Sequence, residues 1–171
     1  MRLRCYSTDD PSNVMSAPTI LVVGATGKQG GATTNALLNR GFRVRALTRN
    51  VRSIAAIGLS EGGVEVVRGD VFDKSSLISA LEGANAAYFT TDSSVGAEGE
   101  IGQGKDFIAA PREANAERVV YSSAHSADHR TRRWGPSLGL EIRHRETLED
   151  SGLRWTVLRP SPSWRTCRVG C

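Results

Sequence analysis

The sequence predicts an α/β fold, a doubly wound parallel sheet of about six strands with helices on both faces. Two observations predict it. Short apolar, β-branched runs alternate with helical segments from Thr19 to Leu158, an order that builds crossover units rather than hairpins. The stretch TILVVGATGKQGGATTNALLNRGFRVRALTRN, Thr19 to Asn50, reads as strand, glycine turn, helix and strand in unbroken succession.

Each element has a local cause. Ile20–Val23 is a continuous apolar run suited to a strand buried on both faces, and Gly24 ends it where the chain must turn sharply. A helix follows the glycines, and the second strand, Phe42–Leu47, alternates with Arg43 and Arg45. Val51–Leu59 is a short helix, and Val64–Val67 a third strand that ends in Arg68-Gly69-Asp70. Asp73 is a good N-cap for a helix that carries Leu77, Ile78 and Leu81 on one face and stops at Gly83. Strand four is Ala86–Thr90, and the helix Glu100–Asn115 contains Pro111, which predicts a kink or an early end. Strand five, Arg118–Tyr121, closes on Ser122-Ser123. A polar, Arg-rich loop, a helix over Leu140–Ser151 ended by Gly152, and strand six at Trp155–Leu158 complete the order.

Gly24, Gly27 and Gly30 form the spacing GxxGxxG, and each has a separate task. Gly24 permits the tight turn, Gly27 lets backbone approach a pyrophosphate, and Gly30 lets the helix pack close to the strand. The free N–H groups at the helix start, over Thr26, Lys28 and Gln29, then meet the phosphates. This is half of a dinucleotide-binding, Rossmann-type fold. The rival phosphate loop GxxxxGK[ST] fails, because Gly24 and Gly27 are three apart and Lys28 is followed by Gln29 rather than a hydroxyl residue.

The second strand selects the dinucleotide. It ends at Thr48-Arg49, where an acid would grip the ribose 2′-hydroxyl of NAD. Arg49 stands there instead, a planar cation suited to a 2′-phosphate, with Arg52 near enough in sequence to assist. NADP(H) is therefore expected over NAD(H). Ligands in such sheets bind outside the carboxyl ends of the strands, so Asp70 and Val71 are candidates for adenine, and Thr90 and Thr91, followed by Asp92, for the ribose and nicotinamide.

The 171 residues suffice for one domain, and 39% apolar with 23% charged is ordinary globular usage. No run approaches a membrane span, and MRLRCYSTDDPSNV lacks the apolar core of a secretory signal, so the cytoplasm is the expected location. The three cysteines, Cys5, Cys167 and Cys171, lie in the terminal segments and indicate neither a disulfide framework nor a metal site. A net charge of +4, with Arg165 and Arg168 in the tail, gives no nucleic-acid footprint.

VVGATGKQGG, ALTRN, GDVFD, YFTTD, RVVYSS and SGLRWTVLRP, in this order from about Thr19 to Pro160, resemble the NmrA-like family of atypical short-chain dehydrogenase/reductase relatives. The resemblance implies an NADP-preferring domain with a smaller C-terminal region completing a pocket. It also implies one of two roles: a sensor of the NADP(H) state or regulator that binds a protein partner, or a reductase of quinones or related compounds.

Reductases of the wider superfamily use a Tyr-x-x-x-Lys pair, and this chain has none: Tyr121 is followed four residues later by His125. Where some members keep a lysine before SGL, this chain has Gly139 or Glu141. Ser122 and Ser123 lie where a substrate-orienting serine would sit. Arg143, His144 and Arg145 point in different directions on a helix and read as a solvated face, and His125 and His129 as part of a surface loop. The expectation is a redox-sensing or regulatory domain without strong dehydrogenase activity; a small-carbonyl or quinone reductase is the alternative, and a degenerate fragment the third.

Met15 to Pro18 would be a natural start, which leaves residues 1–17 as an unstructured extension ahead of a domain over 18–160. Residues 161–171 abandon the family pattern after LRP and read as an irregular tail. A two-base shift of frame, with permissive codons, converts this tail to AFMENLPGWL, which resembles the Phe-Met-Glu-Asn continuation of family members.

Overall fold

The computed structural model describes residues 17–90, 96–122, 148 and 150–158. Residues 1–16 of the expected N-terminal extension, the Arg-rich loop, most of the helix before Gly152, the tail, Thr91, Asp92 and Ser123 lie outside them. The described elements are β1 (Thr19–Val23), α1 (Lys28–Leu38), β2 (Arg43–Thr48), α2 (Ile54–Glu61), β3 (Glu65–Arg68), α3 (Lys74–Leu81), β4 (Ala86–Thr90), α4 (Gly96–Glu113), β5 (Arg118–Ser122) and β6 (Arg154–Leu158). All strand pairs are parallel, in the order β3-β2-β1-β4-β5-β6. The chain winds outward from β1 to β3, then crosses back to the other side of β1 and winds outward again. The direction reverses between β1 and β4, and there the strand ends leave a crevice.

The apolar run of the first strand is buried on both faces for the reason its sequence suggests. Leu21 and Val23 join Leu47, Leu77, Leu81, Phe89, Phe107, Val119 and Tyr121 in a core between the sheet, α3 and α4. Val22 faces the other way, with Val44, Ala46, Val64 and Tyr88, against Leu37 and Leu38 of α1 and Leu59 of α2. In the first core the rings of Phe89 and Phe107 stack at 4.4 Å between centroids and 12° between planes, which fastens α4 to β4.

Local chemistry sets the helix ends. Asp73 caps α3 by accepting from Ser75 N at 2.9 Å and from Ser75 Oγ at 2.6 Å, and the side-chain bond holds its carboxyl below the usual carboxylate range. The second helix begins later than its apolar residues suggest. Asn50 Oδ1 accepts from Arg52 N at 3.0 Å and Ser53 Oγ from Ala56 N at 3.2 Å, so Val51 and Arg52 form a turn and Ser53 is the cap. Pro111 falls in the last turn of α4 and gives the early end. Asn115 adopts φ 55°, and Ala116 N reaches Pro111 O at 2.9 Å, a left-handed cap just past the proline. Arg45 ties β2 to the far end of α3: Nη1 donates to Ala80 O at 2.8 Å and Glu82 O at 2.7 Å. Its Nε lies 3.0 Å from Glu65 Oε2, an ion pair whose geometry falls short of a hydrogen bond. A cation placed on the last carbonyls of a helix complements the helix dipole.

The turn from β1 into α1 is the tightest contact in the sheet. Gly24 has φ +76°, a conformation that side chains strain, and Gly27 N closes the turn on Gly24 O at 2.9 Å. A Cβ on Gly30 would lie 2.2 Å from Gly24 O and 2.8 Å from Ala25 N. No other residue type fits without moving the helix.

Three substitutions test this packing by chemical denaturation. Phe107→Ala should cost about 3–5 kcal/mol through the cavity it leaves beside Phe89. Gly30→Ala should cost about 3 kcal/mol, because backbone rather than a flexible side chain meets the added methyl. Gly58→Ala, where a Cβ meets nothing within 4 Å on exposed α2, should raise stability by about 0.5–1 kcal/mol.

Candidate dinucleotide-binding cleft

A cleft of about 850 Å³ opens at the carboxyl ends of β1, β2, β3 and β4. The glycine turn and first helical turn supply Gly24, Thr26, Gly27, Lys28, Gln29 and Gly30; β2 supplies Thr48, Arg49 and Asn50; the turn after β3 supplies Gly69, Val71 and Phe72. Thr90 of β4 and Gln103 and Phe107 of α4 complete the wall. The sheet therefore gathers Gly24, Thr26, Gly27, Lys28, Gln29, Gly30, Arg49, Val71 and Thr90 from the sequence candidates into one space. Asp70 lines a smaller adjoining cleft of about 400 Å³, with Arg49, Arg68, Gly69 and Ser76. Its Oδ1 accepts from Phe72 N at 3.0 Å, which shapes the turn that presents Val71 and Phe72.

The start of α1 is built for an anion. Its N-cap is Gly27, which has no side chain to satisfy the first N–H groups, and the first turn holds no acid. The N–H groups of Lys28, Gln29 and Gly30 precede the first residue with an intrahelical acceptor, and they lie at the positive end of the helix dipole. A Cβ on Gly27 would crowd Gly24 O at 3.3 Å. Among the described residues no Asp or Glu lines the larger cleft, whereas Lys28 and Arg49 do. A dinucleotide pyrophosphate fits this donor set by charge and by hydrogen-bonding capacity.

The side chain of Gln29 spans the crevice where the winding reverses. Its Oε1 accepts from Thr90 Oγ1 at 3.3 Å, and its Nε2 donates to Ser122 Oγ. One carboxamide thus joins the first turn of α1 to the ends of β4 and β5. Ser122 is 5% exposed and its Oγ accepts from Gln29, so it braces the first helical turn from the end of β5. Arg52, expected beside Arg49, lines neither cleft. Its backbone is drawn into the Asn50 turn.

Sequence reasoning missed Phe72, Gln103 and Phe107. Phe72 stands 49% exposed at the rim, an apolar ring offered to the cleft, and its signal was available in the GDVFD turn. Gln103 is 1% exposed although polar, and with Phe107 one turn on it marks the face of α4 turned to the crevice. Nothing in the order of residues along α4 tells which face that is.

The chain has relatives in sequence and in structure. The NmrA-like family model matches residues 16–158. An oxidoreductase with an NmrA-like domain, notA of Aspergillus sp. (strain MF297-2), is 42% identical over 113 residues, 61% of this chain and 33% of that protein. The crystal structure of Citrobacter sp. triphenylmethane reductase complexed with NADP(H) superposes with a TM-score of 0.74 at 26% identity, over 83% of this chain and 49% of the reductase. NmrA, a negative transcriptional regulator, superposes at 0.69 and 27% identity, over 82% of this chain and 44% of the regulator. The chain thus spans about a third of the curated relative and about half of the reductase. The family match runs from just before β1 to the last residue of β6 and takes in every element that builds the cleft; the chain belongs to the NmrA-like family.

Proposed function

We propose that this domain binds NADP(H) in preference to NAD(H) and serves as a redox-sensing or regulatory module without strong dehydrogenase activity. The observation that carries the cofactor reading is Arg49, which lines the cleft at the end of β2 where an NAD-selective site places an acid, with no acid elsewhere among the described lining residues. The glycine turn and the uncapped start of α1 would hold the pyrophosphate, Val71 and Phe72 would flank the adenine, and Thr90 would stand near the ribose and nicotinamide. When bound, the nicotinamide can give or accept a hydride.

Two features favour sensing over turnover. The sequence carries no Tyr-x-x-x-Lys pair to deliver a proton. Ser122, one of two serines placed to orient a substrate, is buried and is not among the residues that line the cleft. The likeness to NmrA, a negative transcriptional regulator, supports the same reading. A second reading, an NAD(P)H-dependent reductase of a quinone or other small carbonyl compound, is supported by the names of notA and triphenylmethane reductase.

Calorimetric titration of NADP and NAD into the chain tests the first reading. NADP should bind more tightly, and Arg49→Ala should remove about 1.5–3 kcal/mol of that binding while changing NAD little; equal affinities in the unaltered protein would sink it. Loss of NADPH absorbance should be negligible against a panel of quinones, aldehydes and ketones. Sustained turnover of any one of them puts the reductase reading first.

A further inference from the structure

We infer that Arg68, and not Arg52, is the second cation for the 2′-phosphate of NADP, with the Ser76 hydroxyl as a neutral donor beside it; this rests on the NADP reading above. A phosphate monoester is close to dianionic at neutral pH and offers several acceptor oxygens, so one guanidinium leaves it under-neutralised. Arg49 lines both clefts, and the smaller one adds only Arg68, Gly69, Asp70 and Ser76. Its volume of about 400 Å³ exceeds what a phosphate group needs.

The sheet puts the two arginines together. Thr48 and Arg68 are partners in the β2–β3 ladder, so Arg68 enters the solvent at the same level of the sheet as the residue preceding Arg49. Both arginines are exposed, and the ion pairs among the described residues engage Arg45, Lys74 and Arg154 instead. Ser76 Oγ accepts from Asp70 N at 3.2 Å, which leaves its own proton to donate. Gly69 makes this approach possible: a Cβ there would stand 2.8 Å from Ser76 Oγ and 2.5 Å from Leu47 Cδ1. Among the described residues Asp70 is the one acid on this cleft, and its Oδ1 accepts from Phe72 N. Two cations against one carboxylate keep the balance positive.

The test uses the full chain and its Arg49→Ala, Arg68→Ala, Arg68→Lys and Arg52→Ala variants. Each is titrated with NADP, NAD, adenosine 2′,5′-bisphosphate and adenosine 5′-monophosphate. Arg68→Ala should weaken NADP and the bisphosphate about tenfold or more, while NAD and the monophosphate change less than about twofold. Arg68→Lys should fall between, since it keeps charge but loses the planar fork. Arg52→Ala should leave all four ligands within about twofold. If Arg49→Ala is selective for the 2′-phosphate and Arg68→Ala is not, or if Arg52→Ala matches its effect, the assignment of Arg68 is overturned and the NADP reading stands. Equal losses for NADP and NAD in Arg68→Ala, with the lysine variant restoring both, would show a structural role and also overturn it. If Arg49→Ala leaves NADP binding unchanged, the reading beneath the inference falls with it.

Discussion

The backbone of Gly24 and the α-carbon of Gly30 are so close that not even a methyl group fits between them. This contact fixes the angle at which α1 leaves β1, and much of the molecule follows from that angle. It seats Leu37 and Leu38 on the sheet beside Val22 and Val44, which closes the second core. It also brings the uncapped N–H groups of α1 to the crevice rather than to open solvent. A longer turn would accept any side chain at position 30, but it would move the positive end of the helix away from the strand ends.

The crevice is held from a second direction by Gln29. The strands of a parallel sheet are joined by their ladders, yet at their carboxyl ends the ladders stop. The bonds of Gln29 to Thr90 and Ser122 bridge that gap with one side chain. They make the floor of the cleft part of the same rigid unit as the first helical turn. A preorganised floor loses less conformational freedom when a ligand arrives, so more of the contact energy remains as affinity.

Strand and helix positions were legible wherever local pattern and tertiary packing agree. The run Ala86–Thr90 is a strand at those same residues, because Ala86–Phe89 is largely apolar and aromatic and lies at the sheet centre. The start of α2 was not legible from hydrophobicity, since Val51 is apolar but the Asn50 and Ser53 side chains capture the backbone first. Of the cleft, the residues on the glycine turn and at the ends of β2 and β4 could be read from position alone, because strand ends in a doubly wound sheet converge. Gln103, Phe107 and Arg68 could not. Their places depend on the rotation of α4 about its axis and on the register of β3 against β2, neither of which is written in local sequence.

The pairing of β1 with β4 joins Ile20 to Ala86, and Thr19 N to the Asn85 side chain, across the whole of the intervening αβαβα segment. Loop closure on that scale is slow, since the entropy of the long connection is lost before the pairing returns anything. The first half of the chain can gather β1, β2 and β3 from near neighbours, but the crevice exists only once β4 has docked. Thr90 and Phe89 belong to that strand, while Phe107 reaches Phe89 from α4 and Gln103 joins the wall from the same helix, so the cleft is complete only when both elements pack. A nucleotide that enters the cleft would therefore favour the finished sheet over the unfolded chain, since only the finished sheet offers the site.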